Sequence, residues 1–120
     1  MIDSGNMTEV LIDFPKMLID GLKLGKDIKF NDVNDIVIAG MGGSGYTGDL
    51  VKAYLFNTKL RINVVKDYNI PKFVDKNTLF FAISYSGNTE ETVAAYRAAM
   101  RKGCKIVPIS SGGKLEELAK

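Results

Sequence analysis

Two short stretches of small and polar residues follow apolar runs, and both could bind a ligand. The first, residues 40–45, is Gly-Met-Gly-Gly-Ser-Gly and follows Ile-Val-Ile-Ala; the second, residues 84–89, is Ser-Tyr-Ser-Gly-Asn-Thr and follows Leu-Phe-Phe-Ala-Ile. Each pattern predicts a buried strand that turns into a helix. The start of a helix offers free backbone N–H groups and the positive end of the helix dipole. Two such turns predict a site for an anionic ligand such as a phosphorylated small molecule.

The second stretch adds side-chain donors to these backbone groups. Ser84, Ser86, Asn88 and Thr89 place hydroxyl and amide groups where a helix is expected to begin. Neither stretch contains lysine or arginine, so binding would depend on neutral hydrogen bonds and the field of the helix termini. We interpret the two glutamates directly after Thr89 as solvent-facing residues that stabilise the first helical turn.

Other interpretations of the first stretch remain open. Its spacing matches the dinucleotide-binding pattern Gly-x-Gly-x-x-Gly, and Asp67 lies about where a ribose-binding acid would be expected. Glycines are also needed in a tight turn that binds nothing, because they let the backbone approach closely. The sequence therefore allows a phosphorylated small molecule, a dinucleotide or no ligand.

Composition excludes several classes of protein. With 120 residues, 46% hydrophobic and 25% charged, the sequence predicts one ordinary soluble domain. A net charge of +2 without runs of like charge argues against nucleic acid and membrane surfaces as partners. No apolar stretch approaches the roughly 20 residues of a membrane span, and the start of the sequence lacks a signal-peptide layout. Together with the single Cys104, which we expect to be packed, this predicts a cytoplasmic protein.

The sequence contains no histidine. Acid–base chemistry near neutral pH would therefore need carboxylates, or a histidine from elsewhere. Zinc favours histidine and cysteine ligands, so we expect no metal site, and we expect no cofactor.

The predicted elements alternate between strand and helix. Strands are predicted at 35–41, 61–66, 79–84 and 105–110, and helices at 46–56, from Asn88 to about 102, and at 115–120. In the first of these helices, Leu50, Val51 and Leu55 are expected to point inward. Glu91 is a plausible capping-box partner of Asn88. Apolar strands without alternation suit a parallel sheet covered on both faces. Right-handed crossovers then give an α/β fold, a flavodoxin-like three-layer α/β/α domain that spans residues 1–120.

The N-terminal residues 1–30 form a predicted helical segment that packs on this domain. Val10, Phe14 and Leu18 recur at helical spacing on one apolar face, whereas Pro15 should kink or divide the helix. The last predicted helix has barely two turns, so we interpret the chain as part of a longer polypeptide, truncated at its C-terminus.

Residues 40–45 and 84–92 resemble the two signature segments of sugar isomerase (SIS) domains. Within that family the chain is most similar to the N-terminal part of bifunctional phosphoglucose/phosphomannose isomerases. The resemblance implies the phosphosugar-binding domain of an aldose–ketose isomerase, which interconverts glucose 6-phosphate or mannose 6-phosphate with fructose 6-phosphate and forms homodimers. An alternative is a stand-alone phosphosugar-sensing SIS module, which needs no catalytic residues.

Carried over by position, the resemblance gives seven residues that would bind the substrate phosphate: Gly42, Gly43, Ser44, Ser84, Ser86, Gly87 and Thr89. The turn at residues 110–113 would line the same cleft. No residue of this chain takes a catalytic role, because the family's glutamate, histidine and arginine would lie beyond Lys120. We expect Tyr85, between two of the serines, to face away from them; packing under the adjacent helix is the favoured role, and contact with the sugar is the alternative.

Overall fold

The computed structural model describes residues 3–120. Within that range the chain forms α1 (Met7–Gly21), β1 (Asp35–Ala39), α2 (Gly42–Tyr54), β2 (Arg61–Val65), β3 (Thr78–Ile83), α3 (Glu90–Arg101), β4 (Lys105–Ile109) and α4 (Gly113–Leu118). The α/β class is confirmed, and each predicted strand lies within two residues of an observed one. No helix in this range has both the length and the hydropathy needed to cross a bilayer.

The four strands form one parallel sheet in the order β2-β1-β3-β4. The chain passes from β1 outward to β2 and then returns to β3 on the other side of β1. The direction of winding therefore reverses between β1 and β3. In open α/β sheets, ligands bind at the carboxyl ends of the strands at such a point. Residues 40–45 and 84–89 directly follow these two strands.

Helices cover both faces of the sheet, which confirms the three-layer architecture. On one face, Val37 and Phe80 lie in register and join a buried cluster with Val93 and Tyr96 of α3 and Leu115 of α4. On the other face, α2 lies so close to β1 and β2 that a Cβ on Gly48 would be 3.0 Å from Ile38 Cγ2. Apolar burial on each side fixes the strand register, because a shift by one residue would exchange the two faces.

Helix α2 begins at Gly42, four residues before the predicted start. The small residues after β1 are already its first turn. The buried residues of α2 are Gly45 and Gly48, whereas Leu50, predicted to point inward, is exposed. The prediction failed because α2 approaches the sheet through glycines, and this close approach leaves no room for large side chains.

Helix α1 is one continuous element that contains Pro15. None of its residues is buried, which differs from the expected packing of residues 1–30 on the domain; residues 1 and 2 lie outside the described range. The segment after α1 does reach the sheet. Its Leu24, Ile28 and Phe30 line a cavity of about 630 Å³ against Phe81 and Val107.

Candidate functional site

A cavity of about 670 Å³ lies at the carboxyl ends of β1 and β3. Three segments surround it: the glycine turn (residues 40–45), the serine turn (residues 84–89) and the C-terminal turn (residues 110–113). The residues that line it are Met41, Gly43, Ser44, Thr47, Ile83, Tyr85, Ile109, Ser110 and Ser111. Of residues 110–113, expected to line the ligand cleft, Ser110 and Ser111 line this cavity.

The glycine turn and the serine turn leave the sheet side by side. The N–H of Gly40 donates to the carbonyl oxygen of Val65 at 3.0 Å. A Cβ on Gly40 would lie 2.9 Å from the carbonyl oxygen of Ile83, the residue before Ser84. A larger residue at position 40 would therefore push the two turns apart.

The serine turn is shaped by its own hydroxyls and by Gly87. Ser84 is only 1% exposed, and its Oγ forms a 2.8 Å hydrogen bond with Thr89 Oγ1. The N–H of Gly87 donates to the carbonyl oxygen of Ser84 at 3.0 Å. Gly87 has a φ of +67°, and a Cβ there would collide with the carbonyl oxygen of Gly112. Only glycine fits this position without strain.

Two helices begin at this end of the sheet: Gly43 and Ser44 in the first turn of α2 line the cavity, whereas α3 begins beyond the serine turn, whose Tyr85 lines it. Helix α2 begins after Met41 and helix α3 begins after Thr89, and neither preceding residue caps its helix with a side-chain hydrogen bond. The first backbone N–H groups of a helix have no acceptor within the helix. These donors and the positive ends of the two helix dipoles are therefore free to act on an anion.

Asn88 does not take its predicted capping-box role, because α3 starts two residues after it and Thr89 is the N-cap. Its Nδ2 donates to the carbonyl oxygen of Ser86 at 3.1 Å, and its Oδ1 accepts from the backbone N–H of Lys114 at 3.1 Å. Both ends of the amide thus have a partner within the protein.

The two glutamates of α3 lie near Tyr68. The Tyr68 hydroxyl donates to Glu90 Oε2 at 3.4 Å. The negative charge of Glu91, followed by desolvation and Glu90, raises the pKa of Tyr68. Glu90 also lines a separate cavity of about 240 Å³ with Arg97 and Lys114. The Glu90 carboxylate thus faces groups outside the cavity bordered by the two turns.

Tyr85 is 84% exposed and lines the cavity at the carboxyl ends of β1 and β3. The predicted packing under the adjacent helix is wrong, because Tyr85 lies beyond the last residue of β3, where strand alternation no longer sets the direction of a side chain. Cys104, by contrast, is half-buried against the core as expected. Desolvation raises the pKa of its thiol, which keeps it in the unreactive neutral form.

The structure brings the seven predicted binding residues to one end of the sheet. Gly43 and Ser44 line the cavity, and Gly42 begins the same helix. Ser84 and Thr89 are paired, Ser86 Oγ accepts from the N–H of Asn88 at 3.2 Å, and Gly87 sets the backbone of the turn. Their role in binding is taken up under the proposed function.

Thr47 is a lining residue that the sequence analysis missed. It lies three residues after Ser44, and its hydroxyl donates to the carbonyl oxygen of Gly43 at 3.2 Å. Residues three apart share one face of a helix, so an earlier predicted start for α2 would have identified Thr47 as a neighbour of Ser44.

Among residues 3–120, no group of three histidine, cysteine, aspartate or glutamate side chains is arranged to hold a metal ion.

A sequence model of the SIS domain matches residues 29–119. The chain belongs to the SIS family. This match covers all four strands and helices α2 to α4, and it leaves α1 outside the domain.

The chain is 42% identical over 118 residues to the bifunctional phosphoglucose/phosphomannose isomerase of Caldicellulosiruptor bescii, a match covering 94% of this chain and 35% of the relative. Further relatives carry the same name. It is also 41% identical over 85 residues to the D-glucosamine-6-phosphate 4-epimerase of Sulfolobus acidocaldarius, which covers 70% of this chain and 26% of that protein. The chain thus spans about a third of the length of the curated relatives it matches.

A similar fold occurs in a crystal structure of a Clostridium difficile protein provisionally named a phosphosugar isomerase. The two chains are 26% identical, with a TM-score of 0.76, and the match covers 93% of this chain and 34% of the other. The fold described above therefore corresponds to about one third of that larger protein.

Proposed function

We propose that this chain is the phosphosugar-binding domain of an aldose–ketose isomerase. The reaction would interconvert glucose 6-phosphate or mannose 6-phosphate with fructose 6-phosphate. One observation carries the proposal: two uncapped helix N-termini follow the glycine turn and the serine turn at the carboxyl ends of two adjacent strands, and both turns contribute residues to one cavity. The names of the relatives support isomerisation as the reaction, and membership of the SIS family supports a sugar phosphate as the ligand.

The phosphate would bind between the glycine turn and the serine turn. Backbone N–H groups at the starts of α2 and α3 would donate to its terminal oxygens, and hydroxyl groups would complete the set. The residues that we assign to this role are Gly42, Gly43, Ser44, Ser84, Ser86, Gly87 and Thr89. The glycines provide backbone donors and room, while the serines and Thr89 provide hydroxyls.

No lysine or arginine lines the cavity between the turns. The charge of the ligand would therefore be stabilised by helix dipoles and neutral donors, which favour the phosphate dianion. A phosphate monoester takes up its second proton at a pKa of about 6. We expect affinity for fructose 6-phosphate to be constant from pH 7 to 8 and to fall below about pH 6. Titration calorimetry across this range would check the expectation, and an affinity independent of pH would contradict it.

The sugar would occupy the rest of the cavity. A volume of about 670 Å³ is within the usual range for small-molecule sites. Ile83 and Ile109 give it an apolar wall, while Thr47, Tyr85 and Ser110 bring hydroxyl groups that could bond to the hydroxyls of a sugar.

We place the acid–base chemistry outside this chain. The sequence has no histidine, and it spans about a third of its curated relatives. The resemblance implies a glutamate base, a ring-opening histidine and a stabilising arginine, none of which this domain supplies. A relative named as a 4-epimerase shares this part of the sequence with relatives named as isomerases. That sharing supports a domain that holds the phosphate while other residues determine the reaction.

Isothermal titration with fructose 6-phosphate tests the proposal directly. We expect the Ser86→Ala, Thr89→Ala double variant to lose at least about 100-fold in affinity, since hydrogen bonds to charged groups contribute about 1.5–3 kcal/mol each. Thr58→Ala is a matched control, because its hydroxyl bonds to the carbonyl oxygen of Leu55 at the far end of α2. Equal affinities of the double variant and the unchanged protein would contradict the proposed site.

Two alternatives lead to different results. The first alternative, a dinucleotide site, has less support, because packing explains the Gly-x-Gly-x-x-Gly spacing. Gly40 lies against Ile83, and a Cβ on Gly45 would collide with the carbonyl oxygen of Gly40. Micromolar binding of NADH in a fluorescence titration would instead support a dinucleotide site.

The second alternative, a phosphosugar-sensing module, would bind a sugar phosphate without turnover. Mass measurement of the natural polypeptide would separate the two, since a length like that of the curated relatives favours the enzyme.

We extend the proposal to a homodimer in the cytoplasm with a sugar phosphate as ligand. The resemblance implies the dimer, and the exposed apolar side chains of α1 support an association of this kind. Light scattering after size exclusion would check it, and a monomer at all concentrations would contradict it.

A further inference from the structure

The serine turn is held from outside by the C-terminal turn. The N–H of Ser84 donates to the carbonyl oxygen of Ile109 at 3.0 Å, and the N–H of Ser111 donates to that of Tyr85 at 2.9 Å. The N–H of Leu115, in α4, donates to the carbonyl oxygen of Gly87 at 3.0 Å. These backbone bonds connect two segments that are far apart in the sequence and that border the same cavity.

Two side chains add to these connections: the hydroxyl of Ser111 donates to the carbonyl oxygen of Tyr85 at 2.5 Å, and the side chain of Asn88 reaches the start of α4. Its amide bridges the carbonyl oxygen of Ser86 and the N–H of Lys114, at 3.1 Å in each case. A carbonyl can only accept and a backbone N–H can only donate, so these partners fix which end of the amide is oxygen. The amide lies against the backbone of Gly113, where a Cβ would be 2.8 Å from Nδ2 and 2.9 Å from Oδ1. A side chain at position 113 would displace it.

We propose that Asn88 is a positioning residue, which ties the serine turn to the start of α4 and thereby presets the phosphate donors Ser86 and Thr89. This inference rests on the proposed function for its ligand, but the tie itself does not. The Ser86 carbonyl that Asn88 holds belongs to the residue whose hydroxyl would contact the phosphate. Asn88 would contribute to affinity without touching the ligand, because donors already in place need no ordering when the ligand arrives.

The test compares Asn88→Ala with Asn57→Ala. Asn57 is an exposed asparagine beyond the end of α2, outside the residues that line the cavity. Amide hydrogen exchange would report on the tie without any ligand. We expect exchange at Lys114 to accelerate about tenfold or more in Asn88→Ala, because its hydrogen-bond acceptor is lost. Unchanged exchange at Lys114 would show that Asn88 does not hold the start of α4.

Titration with fructose 6-phosphate would report on the positioning role, under conditions in which urea unfolding shows every variant to be fully folded. We expect Asn88→Ala to bind about tenfold more weakly and Asn57→Ala to bind as the unchanged protein does. Asn88→Asp keeps the acceptor for Lys114, so it should restore slow exchange at Lys114. It should nevertheless bind weakly, because it loses the donor to Ser86 and adds negative charge near the phosphate.

The outcomes separate this inference from the proposed function. Faster exchange at Lys114 with unchanged affinity would overturn the positioning role while the phosphate site stands. An unchanged protein that binds no fructose 6-phosphate would overturn the proposed function and the preset donors with it. The exchange experiment would then still decide whether Asn88 holds the two turns together.

Discussion

The glycine turn and the serine turn have the same plan and are held in different ways. Each follows a central strand and opens a helix with an uncapped N-terminus. The glycine turn is fixed by the sheet, since Gly40 bonds to Val65 and lies against Ile83. The serine turn is fixed by a later segment, because Gly87 lies against Gly112 and Asn88 bonds to Lys114.

This difference shows which parts of a ligand site depend on local sequence. A turn packed on its own strands needs glycine wherever the backbones meet, and that requirement is visible as a pattern. A turn held by a distant segment depends on partners that the local sequence does not reveal. Four predictions test the contrast, in order of decreasing effect.

The largest effect is expected from alanine at the glycines of the two turns. Gly87→Ala should lower the free energy of unfolding by about 3 kcal/mol, because it combines a positive φ with a collision against Gly112. Gly43→Ala meets no atom within 4 Å and should stay within about 1 kcal/mol of the unchanged protein. Urea unfolding would measure both. Equal destabilisation would contradict the close approach of Gly87 to Gly112.

Removal of one hydroxyl next to each turn should affect binding of fructose 6-phosphate unequally. Thr89→Val leaves the buried Ser84 hydroxyl without its partner and removes a proposed phosphate donor. We expect affinity for fructose 6-phosphate to fall about 10- to 100-fold. In Thr47→Val the lost hydroxyl bonded only to Gly43 of its own helix, so the loss should stay within about threefold. A larger loss of affinity in Thr47→Val than in Thr89→Val, measured by calorimetry, would indicate that the phosphate binds closer to the glycine turn.

Acidic residues occur in the first turn of α3 and not in the first turn of α2. Glu91→Gln should therefore strengthen binding of fructose 6-phosphate by about twofold at low salt, because it removes a repulsive charge from that helix start. The gain should disappear near 1 M salt, where screening is strong. Glu9→Gln on α1 is the control. A gain that persists at high salt would show that the effect is not electrostatic.

The smallest effect concerns the ionisation of Tyr68. Glu91 is the largest cause of its raised pKa, because a nearby negative charge opposes formation of the phenolate. Glu91→Gln should lower the pKa of Tyr68 towards its ordinary value. Ultraviolet titration would show the shift, with Tyr68→Phe used to subtract the other tyrosines. An unchanged titration curve would place Glu91 away from Tyr68.

The strands were predictable because their apolar runs are long and their ends are marked by small or polar residues. The start of α2 was not, since glycine is a poor helix former and its helical role here comes from contact with the sheet. The locations of the site residues followed from the fact that parallel strands end at one edge. The direction of Tyr85 and the bonding of Asn88 could not be predicted, because both depend on the C-terminal turn more than 20 residues away.

The bond between Ser84 and Thr89 bears on how far the proposed site would have to rearrange to bind a ligand. Either hydroxyl can be the donor, so each oxygen is already held in place by the other. An arriving phosphate could recruit these hydroxyls by rotation of their O–H bonds alone, with every carbon and oxygen left where it is. The cost of reorganisation would then be small, because the two donor oxygens would keep their positions on binding.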